Sequence, residues 1–269
     1  MNRDTLYSPA VVDLDAGPVT ITLPDAGDRF MSLMLLNEDQ YVVSVTYGDA
    51  PVTVTKDDAG TRYLIAAVRT LVDPNDPADL QKVHALQDAM TITQAGTGSF
   101  EIPKWDEASQ KKVRDALLVL ASTTALGPDT FGSKSEVNPI HHLIGTAAGW
   151  GGNPAKDATY VSVEPAQNDG KVAYSLHVGE VPVDGFWSIS VYNAKGFFEP
   201  NDLNAYSVNN ITANKAADGS VDVQFGDCDG QVPNCLPTVD GWNYLVRLYR
   251  PRAEILDGTW KFPEAQPMS

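Results

Sequence analysis

Basic residues are scarce in this chain of 269 residues. Lys and Arg number 19 against 35 Asp and Glu, which leaves a formal net charge of −16 at pH 7 and a pI near 4.4. Such a surface repels phosphate backbones and anionic headgroups, so nucleic-acid binding and electrostatic docking on membranes are excluded. No apolar run approaches the roughly 20 residues that cross a bilayer, and no membrane span is expected. A charged start followed by an apolar h-region is also missing. Strand-like sequence follows Met1-Asn2-Arg3-Asp4 almost at once, and the expectation is that a leader preceding this chain is absent from it. Cysteine occurs twice and His four times. No second Cys/His pair stands at ligand spacing, which argues against zinc.

Enzyme signatures are missing as well. There is no Gly-x-Ser-x-Gly elbow, no His-Glu-x-x-His, no Gly-x-x-x-x-Gly-Lys and no Gly-x-Gly-x-x-Gly, which argues against α/β-hydrolases, zincins and nucleotide enzymes. Chemistry assembled from distant strands of a β-sandwich leaves no such local trace and stays open. Asp13-Leu-Asp15 and Asp227-Cys-Asp229 are acidic pairs, but neither has the EF-hand order with its closing Glu. No cofactor is expected, and a divalent cation stays open but unsupported.

What is present is an ordinary globular composition, 43% hydrophobic and 20% charged. Val19-Thr-Ile-Thr-Leu23 alternates with period two between Gly17-Pro18 and Pro24-Asp25. Residues 30–36, 41–47, 52–55 and 63–68 repeat the signal, with turn residues between them. Asp76-Pro77 then opens a helix carried by Leu80, Val83, Leu86 and Met90, ended by Gly96-Thr-Gly98. A second helix is expected over 106–122, with Val113, Ala116, Leu117 and Leu120 as its apolar stripe. Each helix has one polar face, so both are expected to pack on a sheet. His141-His142 begins a short helix that runs into the glycine-rich Gly149-Trp-Gly-Gly-Asn-Pro154. Strands return at 160–163, 172–178, 186–192, 221–225 and 245–249. This is a mainly β pattern with a helical middle, either a bridge between two β units or a large insertion in one. Cys228 and Cys235 flank six residues that include Gly and Pro. A disulfide there, pointing to an exported protein, is the expectation; two unpaired thiols are the alternative.

Asn2-Arg-Asp-Thr-Leu-Tyr-Ser8, a strand pair, and Arg69-Thr-Leu-Val-Asp73 with Leu80 to Leu86 resemble the uncharacterised bacterial domain family numbered 1254. From His142 on, Gly149-Trp-Gly-Gly-Asn-Pro154, Gly185-Phe-Trp-Ser188, Tyr192, Asn204-Ala-Tyr-Ser207, Arg247-Leu-Tyr249 and Leu256-Asp-Gly-Thr-Trp260 resemble its usual companion, family 1214. The resemblance covers nearly the whole chain. It implies two β-sandwich-like units of jelly-roll type with helices between them, in proteins commonly exported by bacteria, and no established reaction. It also implies that the N-terminal domain usually begins further upstream, and that Cys235 stands where an aromatic residue is usual. The domains expected are 1–125 and 126–269.

His141 and His142 cannot share a direction, since neighbours diverge by about 100° on a helix and about 180° on a strand. His142, beside the glycine-rich turn, is the candidate acid/base, against a structural imidazole bound to backbone. His84 and His177 carry no comparable signal. Asp4 is the candidate second carboxyl or electrostatic partner, against a cap at the entry to the first strand. Arg247 shares a strand face with Leu245 and Tyr249 and needs a carboxylate, from the protein or from a ligand. Tyr7 is a second ligand anchor, and Trp150, Asn153 and Tyr192 are further ligand-binding candidates. Trp150, Trp187, Tyr192 and Trp242 are readable as an aromatic platform or as core. Three readings follow: a hydrolase or lyase on a small organic or carbohydrate-like ligand in a cleft between β units, a non-catalytic binding protein, or an assembly module. The expected location is periplasmic or secreted.

Overall fold

A computed structural model describes residues 2–268 of the chain. Its first strands are β1 (Thr5–Asp13), β2 (Val19–Thr22), β3 (Met31–Asn37), β4 (Val42–Tyr47), β5 (Val52–Val54) and β6 (Tyr63–Leu71). The single turn α1 (Lys56–Ala59) precedes β6, and α2 (Pro77–Asp88) and β7 (Thr91–Gln94) follow it. Strands β1-β6-β3-β4 make one sheet and β5-β2-β7 another. Alternation sends Leu33 and Leu35 of β3, Leu64, Ala66 and Val68 of β6, and Val19 and Ile21 of β2 into one apolar core. The opposite face of the first sheet carries Met34, Leu36, Ala67 and Arg69.

Helix α2 buries Val83 completely, and its Leu86 packs against the same core. It ends before Met90, and Thr91–Gln94 pairs antiparallel with β2. The β-branched Thr-Ile-Thr prefers the pleated edge, where Thr93 stands opposite Thr20.

Helix α3 (Glu107–Ala121) forms within the expected 106–122. The Asp106 carboxylate accepts from the backbone N–H groups of Ala108 and Ser109. Helix α4 (Pro139–Ala148) has Asn138 as cap and Pro139 at its first position. α3 lies against α4 rather than on a sheet, and none of its residues is buried. The stretches Leu6–Leu71 and Leu80–Ala155 form one compact unit, called here the N-terminal unit, so residues 126–155 pack with the earlier half of the chain.

The other compact unit, the C-terminal unit, takes residues 2–5, Val72–Asp79 and 156–268. Its elements are β8 (Ala158–Val163), β9 (Tyr174–Val178), β10 (Trp187–Tyr192), β11 (Ser207–Asn209), β12 (Val221–Phe225), β13 (Cys235–Leu236), β14 (Asn243–Tyr249), α5 (Ala253–Leu256) and β15 (Gln266–Pro267). Sheets β11-β10-β14-β8 and β13-β12-β9-β15 sandwich a core of Leu176, Ile189, Val223, Phe225, Tyr244 and Val246. Trp242 is fully buried there, stacked on Phe225 and edge-on to Tyr174. The pairs are antiparallel except β12 with β13. The disulfide Cys228–Cys235 closes the loop that returns from β12 to β13, with Cα atoms 5.7 Å apart.

Candidate functional site

In the C-terminal unit, strict alternation places polar side chains back to back with the core. Trp187, Ile189 and Val191 of β10 face inward, so Ser188, Ser190 and Tyr192 face the other way. On β14, Tyr244, Val246 and Leu248 face the core and Arg247 does not; its register partner is Ser188. Arg247 donates to Ser190 Oγ at 2.8 Å and to Tyr192 OH at 2.6 Å. Its Nη1 stands 3.8 Å from Asp4 Oδ2. Asn209 Nδ2 donates to Asp4 Oδ1 at 3.1 Å, and the Asp4 carbonyl accepts from Val72 N–H.

This cluster is closed to solvent: Asp4 is 0% exposed and Arg247 5%. Among the described residues Asp4 Oδ2 has no hydrogen-bond partner. Burial pushes the Asp4 carboxyl above the ordinary carboxylate value, although Arg247 and the Ser188, Asn209 and Ser207 side chains pull the other way. Burial also opposes the charge on Arg247, but Tyr192 and Asp4 hold its pKa above the usual value. The carboxylate that Arg247 needs comes from the protein itself. Chemically the arrangement is a rivet holding the opening residues of the chain on the β10–β14 face.

His142 is not part of this cluster. In the N-terminal unit its Nδ1 lies 3.0 Å from the Thr130 carbonyl oxygen and its Nε2 3.0 Å from that of Asp39. The ring stacks on Tyr41 with centroids 4.6 Å apart. Both nitrogens therefore face backbone acceptors, and neither is left for a substrate proton. His141 diverges as expected and pairs with Asp129 at 2.9 Å, which lowers the Asp129 carboxyl pKa. His84 meets Gln87, and His177 meets Asp222 at the surface.

Tyr7 and Asn153 meet around a residue singled out earlier only as part of a family motif, Arg69. The Tyr7 ring lies over the guanidinium, 5.4 Å from centroid to Cζ. Arg69 donates to Asn153 Oδ1 at 3.5 Å and to the Gly151 carbonyl at 3.1 Å. Gly151 needs its left-handed φ of +68° to make the turn. At Gly152 a Cβ would stand 2.5 Å from the Phe131 ring. Only glycine lets the turn lie so close.

Trp150, in the same turn, belongs to a groove between α3 and α4. The groove has a volume of about 660 Å³ and is lined by Trp105, Val113, Arg114, Leu117, Leu143 and Trp150 among others. Trp105 is 69% exposed and Trp150 59%. Trp187 and Trp242 lie in the core and Tyr192 in the Arg247 cluster, so Trp105, which periodicity did not single out, is the second exposed indole.

Fold and sites together define a mainly β protein of two sandwich units, with a sealed ionic cluster in one and a helix-lined groove in the other. The sequence matches the family described as Protein of unknown function (DUF1254) over residues 1–48, and Protein of unknown function (DUF1214) over 158–253. The two matches fall in the expected order along the chain. No curated protein matches it. Among solved structures, the VPA0106 protein from Vibrio parahaemolyticus is similar, with TM-score 0.80 and 17% identity, covering 100% of this chain and 90% of that one. An uncharacterised protein from Burkholderia cenocepacia is similar with TM-score 0.56 and 16% identity, covering 100% and 77%. At these identities the likeness concerns the fold alone.

Proposed function

We propose that the protein is a non-catalytic binding protein that works outside the cytoplasm and holds a small molecule with an apolar body and an anionic end. The observation that carries this reading is the groove between α3 and α4. Its volume of about 660 Å³ falls in the range of small-molecule sites. Its walls set two indoles and aliphatic side chains among polar groups that include Asp106, Ser109 and Gln110, and Arg114 offers a cation to a carboxylate. α3 keeps Val113 and Leu120 largely exposed and buries nothing. Apolar surface left open on a helix that gains so little from its own fold is surface suited to a ligand. The closed Cys228–Cys235 bridge accords with an oxidising compartment. A hydrolase or lyase built on His142 has less in its favour, because backbone carbonyls hold both ring nitrogens.

The test is indole fluorescence. Trp105 and Trp150 are the strongly exposed indoles, whereas Trp187 and Trp242 are buried. Titration with straight-chain carboxylates of increasing length should shift the emission saturably, and affinity should rise by roughly 0.8 kcal/mol for each buried methylene. Arg114→Gln should weaken binding of the acids but not of the matching alcohols. Emission and melting temperature both indifferent to the whole series would sink the reading, as would sugars binding where the acids do not.

A further inference from the structure

We propose that Arg69 anchors a second binding site, for the carboxylate of a small organic acid, with Tyr7 as its aromatic wall. The inference does not depend on the α3/α4 groove. Arg69 stands in β6, between β1 and β3, on the face turned away from the core of its sandwich. Apolar neighbours Met34 and Ala67 share that face, and Arg69 is only 8% exposed.

A guanidinium so far out of water ordinarily has an acid beside it. Arg247, the other deeply buried arginine, has Asp4. Arg69 has none: among the described residues its partners are the Gly151 carbonyl, the Asn153 amide oxygen and, at 4.0 Å, the Met34 sulfur. All are neutral acceptors. They orient the fork without balancing its charge, and Arg69 Nε makes no hydrogen bond to them.

Tyr7 is the cover. It is 47% exposed while its ring lies over the guanidinium, so a ligand reaches Arg69 past that ring on the edge strand β1. A planar carboxylate matches the planar fork, and the surrounding low dielectric strengthens the pairing. The charge of −16 on the chain disfavours a multiply charged phosphate relative to a singly charged acid.

The experiment follows the arginine Nε–H resonances of the full chain during titration with sodium acetate at constant ionic strength, with inorganic phosphate in parallel. The Arg69 signal is identified by its loss in Arg69→Met. Acetate should shift that signal saturably with Kd of about 1 mM or tighter. Acetate protection of the melting temperature should vanish in Arg69→Met. Affinity should fall about tenfold in Arg69→Lys, which keeps the charge but not the fork, and about threefold in Tyr7→Leu. No saturable shift in the wild type, or equal acetate affinity in Arg69→Lys, would overturn the site. A response to phosphate alone would overturn the carboxylate assignment. Should Arg69→Met fail to fold, the lysine variant carries the comparison.

Discussion

Replacing Arg247 by Met tests the energetic account of the C-terminal unit most directly. The substitution keeps an apolar stem of similar length and removes the guanidinium that faces Asp4 at 3.8 Å. Breaking a buried pair by deleting one partner costs about 3–5 kcal/mol, because the other charge stays buried without compensation. The hydroxyls of Ser190 and Tyr192 also lose a charged donor, worth about 1 kcal/mol or more each. One process offsets part of this. Burial already pushes the Asp4 carboxyl up, and without Arg247 its folded-state pKa rises further, so the carboxyl takes a proton instead of remaining a bare charge.

The sign of the pH dependence follows. A carboxyl whose folded pKa lies above its unfolded value of about 3.8 contributes fully below that value and loses its contribution as pH rises through the folded pKa. The deficit of Arg247→Met relative to wild type should therefore be largest near neutrality, about 3 kcal/mol, and shrink as the pH falls toward 4. Urea unfolding of both proteins at a series of pH values measures it. Adding Asp4→Asn to the variant should restore more than half of the neutral-pH loss, since no buried charge is then left alone. A single variant within about 0.5 kcal/mol of wild type at neutral pH, with no recovery in the double variant, would refute the reasoning.

Two further outcomes are expected. Converting Cys228 and Cys235 together to Ser should cost the C-terminal unit about 2.5 kcal/mol, the chain-entropy value for a loop of separation 7; calorimetry with and without reductant checks it, and identical melting would contradict it. Asp13 is held well below the ordinary carboxylate range by the Arg62 guanidinium and the Ser99 and Asp15 N–H groups. Its contribution is present above its unfolded value of 3.8 and lost as pH falls below it, so Arg62→Met should flatten the acid limb of a melting-temperature profile; an unaltered limb would count against this.

The elements were largely legible in order of sequence. Residues 221–225 alternate cleanly and form β12 at those bounds, and the helix expected over 106–122 forms as α3 over Glu107–Ala121. β1 was less so, because Ser8 and Pro9 interrupt its apolar run. β7 was hidden behind Met90, which stands at helical spacing from Leu86 although the helix has already stopped. The site was legible by type and only partly by grouping. Asp4, Arg247 and Tyr192 do meet, and so do Tyr7 and Asn153, but the second pair meets around Arg69, a lone cation in an apolar strand. His142 was readable as a ring beside a glycine turn, as an acid/base or as an imidazole bound to backbone. Its partners were not, since backbone carbonyls at Asp39 and Thr130 leave no mark in a sequence.

By itself the chain determined what is local: strand and helix periods, caps, the cysteine loop and the acidic balance, because each depends on residues a few positions apart. Tertiary structure decided which charges have partners. Asp4 and Arg247 come from opposite ends of the chain, and the cost of burying a charge depends on what a distant strand brings beside it. For that reason two arginines in similar apolar strands ended differently, one neutralised within the protein and one facing, among the described residues, only neutral acceptors.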